Sequence, residues 1–131
     1  MPLFKIDHIG YAVKDLKKAI NLFSHLGYAF DDDKIDQLRN VRICVGVSGG
    51  GRVELVSPID NSKSPIDGFL KKNGPMPYHL CFSVKNINEQ TELLRNLGFI
   101  LVEKIDKSVP LGGFVCFLFH PDLGLVELIQ Y

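Results

Sequence analysis

From residue 6 to residue 13, apolar side chains alternate with small or polar ones. Ile9, Tyr11 and Val13 fall on one side of an extended chain, and His8, Gly10 and Ala12 on the other, the two-residue period of a β-strand. Lys14-Asp15 turns the chain, after which Leu16, Ala19, Ile20 and Phe23 recur at helical spacing to about Leu26, where Gly27 stops the helix. Such a helix covers the apolar face of the strand. Tyr28-Ala29-Phe30 begins a short strand that decays into Asp31-Asp32-Asp33-Lys34, a charged stretch without calcium-loop spacing that reads as a solvated loop. Alternation resumes at 41–47, with Val41, Ile43, Val45 and Val47 on one face and Arg42, Cys44 and Gly46 on the other. Ser48-Gly49-Gly50-Gly51 is a hairpin connection. No Gly-Lys-Ser/Thr follows it and a strand comes next, which argues against a phosphate loop. That strand, Arg52 to Ser57, sets Arg52, Glu54 and Val56 against Val53 and Leu55.

The plan then repeats. Sliding the second half back by 71 positions pairs His8 with His79, Val13 with Val84, Lys14 with Lys85, Leu22 with Leu93, Leu26 with Leu97 and Gly27 with Gly98. Val53-Glu54-Leu55 returns as Val126-Glu127-Leu128, offset by 73. The second copy reads as strand 78–84, helix from about Ile87 to Leu97, a strand near Phe99 to Lys104, a loop through Pro110-Leu111-Gly112-Gly113, and strands 114–119 and 125–130. Between the copies, Ser64-Pro65-Ile66-Asp67 looks like an N-cap with proline at the first helical position, and Gly74 closes the short helix. The expected fold is α+β: one domain over 1–131, built from two β-α-β-β-β modules at about 4–57 and 78–131 with a linker at about 58–77. A period near 70 is too long for a solenoid.

Composition narrows the function. Fifteen basic and fifteen acidic side chains leave a formal charge of zero, and no basic stretch is dense enough to track a phosphate backbone, so a small molecule is a better partner than nucleic acid. No apolar run approaches a membrane span, and Met1-Pro2-Leu3-Phe4-Lys5 lacks a signal-peptide core; the expectation is a cytoplasmic protein. Cys44, Cys81 and Cys116, odd in number and set in apolar strands, read as reduced thiols packed as small hydrophobes.

One histidine on a strand is usually structural, but the duplication places a histidine near the start and a glutamate near the end of both modules. If the modules pack by pseudo-twofold symmetry, both pairs face one concavity, where two buried glutamates would repel each other unless a cation lay between them. His8, Glu54, His79 and Glu127 then form an imidazole and carboxylate site for a divalent first-row metal, with positions left for water or substrate.

With these residues in place, the chain resembles the vicinal oxygen chelate superfamily, the group of glyoxalase I, methylmalonyl-CoA epimerase, extradiol dioxygenases and the bleomycin and fosfomycin resistance proteins. The resemblance covers essentially the whole chain. It implies a cupped mixed sheet around a metal (Ni, Co, Zn or Mn) held by His8, Glu54, His79 and Glu127. Val53-Glu54-Leu55-Val56-Ser57-Pro58, Ser64-Pro65-Ile66-Asp67-Gly68-Phe69-Leu70 and His79-Leu80-Cys81-Phe82-Ser83-Val84 are similar to the epimerases in particular. The implied reaction moves a proton α to a carbonyl through an enolate held at the metal, with Glu127 as base and Glu54 as a second catalytic carboxylate. Its substrate would be an acyl thioester in an epimerase, or a thiol hemithioacetal in a lactoylglutathione lyase. Arg42 or Arg52 would bind an anionic group of the substrate, and a homodimer is implied. Two features depart from the relatives. The strand at Val41–Val47 offers Arg42 but no carboxylate as second base, and Ala12 stands where bacterial glyoxalases often carry an arginine. A binding protein of the antibiotic-resistance type is the expectation from another class.

Overall fold

The computed structural model describes residues 4–59 and 63–131. Met1-Pro2-Leu3 of the expected leaderless start, and Asp60-Asn61-Ser62 of the expected linker, lie outside the described residues. In chain order the elements are β1 (Lys5–Ala12), α1 (Leu16–His25), β2 (Ala29–Phe30), β3 (Lys34–Asp36), β4 (Val41–Ser48), β5 (Gly51–Pro58), α2 (Asp67–Asn73), β6 (Met76–Ser83), α3 (Ile87–Asn96), β7 (Ile100–Lys107), β8 (Phe114–His120) and β9 (Gly124–Gln130). No helix among them is long and apolar enough to cross a membrane. The chain divides into two compact units, residues 8–78 and residues 79–131 with 1–7. Phe4 and Asp7 therefore group with the second repeat: the Phe4 ring meets Phe82 edge-on, and the Tyr131 hydroxyl donates to Asp7 at 2.7 Å.

In the unit of residues 8–78, β1 runs parallel to β5, and β5 pairs antiparallel with β4 through eight consecutive positions, Val41↔Pro58 to Ser48↔Gly51. The last of these pairs closes the predicted hairpin, leaving Gly49-Gly50 as its turn. Asp15 caps α1 by accepting from the Lys18 amide at 3.1 Å. The helix packs Leu16 and Ala19 on Val13, Cys44, Val53 and Leu55, with Tyr11 and Phe23 meeting edge-on at 5.2 Å. On the opposite face, Ala12, Val41, Ile43 and Val56 pack with Ile66 and Leu70 from the α2 region.

Three expectations need correction in this unit. The short strand at Ala29–Phe30 does give way to an exposed loop at Asp31–Asp33, but the loop ends sooner than expected. Lys34 belongs instead to a further strand, β3, which pairs with β4 at Lys34↔Ile43, Ile35↔Arg42 and Asp36↔Val41. Ser64 does not cap α2: its amide and hydroxyl donate to the Asp67 carboxylate, and the N-cap position is Ile66, without a side-chain cap. Gly74 does end that helix, at φ 74°. Finally, α1 reaches Tyr11 and Val13 but leaves Ile9 41% exposed, because a ten-residue helix spans only about 15 Å and its apolar residues lie over the far end of β1.

The second unit repeats the scheme with β6 parallel to β9 and the antiparallel ladder β9-β8-β7. Asn86 caps α3 as Asp15 caps α1, and Val84, Ile87, Cys116, Leu118, Val126 and Leu128 form the core beneath that helix. Each unit is thus the predicted module with a mixed sheet, and all three cysteines are free and buried. The first unit carries β3 as an extra strand.

Gly46 is the tightest point of the first sheet, since a Cβ there would lie 2.5 Å from the Phe30 ring. Gly46→Ala should lower unfolding stability by about 1–3 kcal/mol in urea titrations. Gly49→Ala, with open space around it, should leave the midpoint near wild type. Equal effects would show that Phe30 does not pack as described.

Candidate metal and proton-transfer site

Each unit buries one histidine against one glutamate. In the first, the β1 residues Gly10 and Ala12 share the face of His8, so no bulky neighbour crowds the imidazole. His8 is 1% and Glu54 4% exposed. Glu54 stands beside Gly10 in the parallel β1–β5 register, and His8 Nε2 lies 3.6 Å from Glu54 Oε1. In the second unit Cys81 and Ser83 are the small neighbours on the face of His79, Cys81 is in register with Glu127, and His79 Nε2 lies 3.1 Å from Glu127 Oε1. His79 and Glu127 are 4% and 3% exposed.

These spacings carry chemical information. Two ligands each about 2.1 Å from one ion and about 90–110° apart are roughly 3.0–3.4 Å from each other. Both His–Glu pairs sit near that separation, and in both it is Nε2 that faces the carboxylate. Two imidazoles and two carboxylates are a donor set for a borderline divalent cation rather than for calcium. The residues present fit such an ion.

The surroundings differ between the units. Across the β4–β5 ladder Glu54 is opposite Val45, so its face continues as Val41, Ile43, Val45 and Val56, all aliphatic. Across the β8–β9 ladder Glu127 is opposite Phe117, whose ring meets His79 edge-on at 5.2 Å and 88°. Val115, Ile129 and Cys81 form the sealed floor around it. Phe117 was not among the residues singled out from the sequence, although the alternation in 114–119 could have put it on the face of Glu127.

The two arginines separate. Arg42 pairs across the ladder with Ser57, one position out of phase with Val45 and Glu54, and so lies on the opposite face of the sheet. There it borders a cavity of about 560 Å³ at the start of α1, with Lys14, Asp15, Lys17, Asp33 and Ser57. Its guanidinium donates to Asp33 at 2.8 Å. Arg52 is opposite Val47 and shares the face of Glu54. The Arg42 hydrogen bond holds the Asp33 carboxyl below its ordinary 3.8, whereas burial pushes the Cys44 and Cys116 thiols up.

Known proteins resemble the chain in both sequence and fold. Residues 7–117 match the model of the glyoxalase/bleomycin resistance protein/dioxygenase superfamily, and the chain belongs to that superfamily. Among solved structures it is similar to methylmalonyl-CoA epimerase from Mycobacterium tuberculosis, at 30% identity over 95% of this chain and 86% of that one, with a TM-score of 0.82. A hypothetical protein from Bacillus halodurans is 26% identical over 98% and 94% of the two chains, TM-score 0.85. A Streptomyces coelicolor methylmalonyl-CoA epimerase in complex with 2-nitronate-propionyl-CoA is 25% identical over 98% and 97%, TM-score 0.82. No curated protein matches.

The Asp33–Arg42 pair gives a pH test. A carboxyl depressed in the folded state contributes stability that is present above its unfolded value, near 3.8, and is lost as pH falls through the folded value. Arg42→Met should therefore cost about 0.2–1 kcal/mol at pH 7, small because both side chains are partly solvated. The difference from wild type should shrink toward pH 2–3 in parallel urea titrations. A penalty that stays constant with pH would mean that Arg42 acts through packing alone.

Proposed function

We propose that this protein is a metal-dependent isomerase that moves a proton α to the carbonyl of an acyl thioester, with methylmalonyl-CoA or a close analogue as substrate. The observation that carries this reading is the buried Glu127, set 3.1 Å from His79 Nε2 beside the apolar cluster of Cys81, Val115 and Ile129. The likeness to epimerases across nearly the whole chain supports it. In this reading His8, Glu54, His79 and Glu127, all buried and all of ligand type, hold one divalent ion, Ni, Co, Zn or Mn, within a single domain. When bound, that ion supplies a Lewis acid that withdraws charge from the carbonyl and so acidifies the neighbouring C–H bond.

The chain's own residues do the rest. Glu127 accepts the α proton, and the apolar floor of Val115, Phe117 and Ile129 excludes water that would otherwise solvate and weaken the base. Glu54 completes the ligand set and is the second carboxylate of the site. Arg52, on the face of Glu54, binds an anionic group of the substrate. Two copies of the chain form the working particle.

Proton NMR of methylmalonyl-CoA in deuterated water tests the reading. Protein loaded with cobalt or nickel should erase the α-proton signal faster than the spontaneous background, and Glu127→Gln should lose at least about 100-fold of that rate. No exchange from metal-loaded protein would overturn the thioester reading in favour of a hemithioacetal substrate. Exchange that survives in Glu127→Gln would remove Glu127 from its role.

A further inference from the structure

Epimerisation needs proton transfer on both faces of a planar intermediate. On the face of Glu54, β4 presents Val41, Ile43, Val45 and Val47, none of which can carry a proton. The unit that holds Glu127 is different. Strand β7 pairs with β8 at Leu101↔Leu118, Glu103↔Phe117 and Asp106↔Val115, with a register shift on each side of Glu103. In unbroken alternation Glu103 would share the face of Leu101 and Ile105, which pack into the core under α3. The shifts undo that phase. Partners across an antiparallel ladder project from the same face, so Glu103 shares the face of Phe117 and hence of Glu127, its own partner across β8–β9. Bulges that re-aim one side chain recur beside active sites.

We propose that Glu103 is the second catalytic proton-transfer group, acting on the substrate face opposite Glu127. This rests on the thioester reading above. Glu103 and Glu127 lie on strands two ladder spacings apart, roughly 10 Å, with Phe117 between them. A carbon that exchanges protons with two carboxylates needs each within about 3 Å, a span that both side chains can leave by leaning over Phe117. Glu103 is half-buried. In the forward direction Glu127 takes the α proton and the C–H electron pair passes into the enolate. Protonated Glu103 then delivers its proton to the other face of the same carbon and is left as carboxylate. The reverse direction exchanges the two roles, and both groups re-equilibrate with solvent.

The test uses single epimers of methylmalonyl-CoA in deuterated water with the metal-loaded full chain, following deuterium uptake by NMR and inversion by chiral analysis. Wild type should exchange and invert both epimers. Glu103→Gln should lose at least about 100-fold in inversion yet still exchange, with retention, the one epimer whose proton faces Glu127. Glu103→Asp, a milder change should the amide variant not fold, should slow inversion while leaving that exchange near wild type. Inversion at the wild-type rate in either variant overturns the proposal, as does a Glu54→Gln variant that alone shows exchange without inversion. A wild-type protein that exchanges neither epimer would instead overturn the thioester reading itself, and this proposal with it.

Discussion

Keeping four ionisable side chains out of water is the constraint on which the rest of this structure depends. A carboxylate moved into an apolar interior costs several kcal/mol unless a cation or a set of donors meets it. Glu54 and Glu127 are each at most 4% exposed. The sheet answers by setting an imidazole beside each carboxylate through a parallel strand pair, β1 with β5 and β6 with β9. Parallel pairing requires a crossover connection, and α1 and α3 are part of it. The position of the helices, the short residues beside the histidines and the order of the strands all serve those two contacts.

Much of this could be read from the chain. The duplication and the alternation around His8, Glu54, His79 and Glu127 gave the modules and the buried pairs, because a two-residue period fixes which side chains share a face. The chain alone did not separate Arg42 from Glu54: that needs the β4–β5 register, which sets Val45, three residues after Arg42, opposite Glu54. What could not be read is where parity fails. The shifts flanking Glu103 leave no compositional mark in Leu101-Val102-Glu103-Lys104-Ile105; they arise from pairing with a strand ten or more residues away. The β3 pairing of Lys34–Asp36 was hidden for another reason: charged residues suit an edge strand as well as a loop. Ser64 was misread because a hydroxyl can donate as well as accept, and Asp67 three residues on offered the stronger acceptor.

The units also show how little of a sheet's chemistry lies in its topology. Apart from β3, both have the same strand order and a capped helix, and both seat a histidine among small residues. They differ in what stands opposite the glutamate. Val45 sets an aliphatic side chain opposite one glutamate, while Phe117 sets an aromatic ring opposite the other, with its edge against His79. A family that hosts isomerases, lyases, oxygenases and binding proteins can vary these facing positions without disturbing the pairs that hold the fold.

That difference also speaks to history. Val45 and Phe117 occupy equivalent places opposite the glutamate in the two repeats, and there the copies of the module differ. The first unit keeps a hydrocarbon side chain there, and the second carries an aromatic ring beside a strand with two register shifts. A duplicated module can therefore keep its fold in both copies while only one of them changes the wall beside its buried pair.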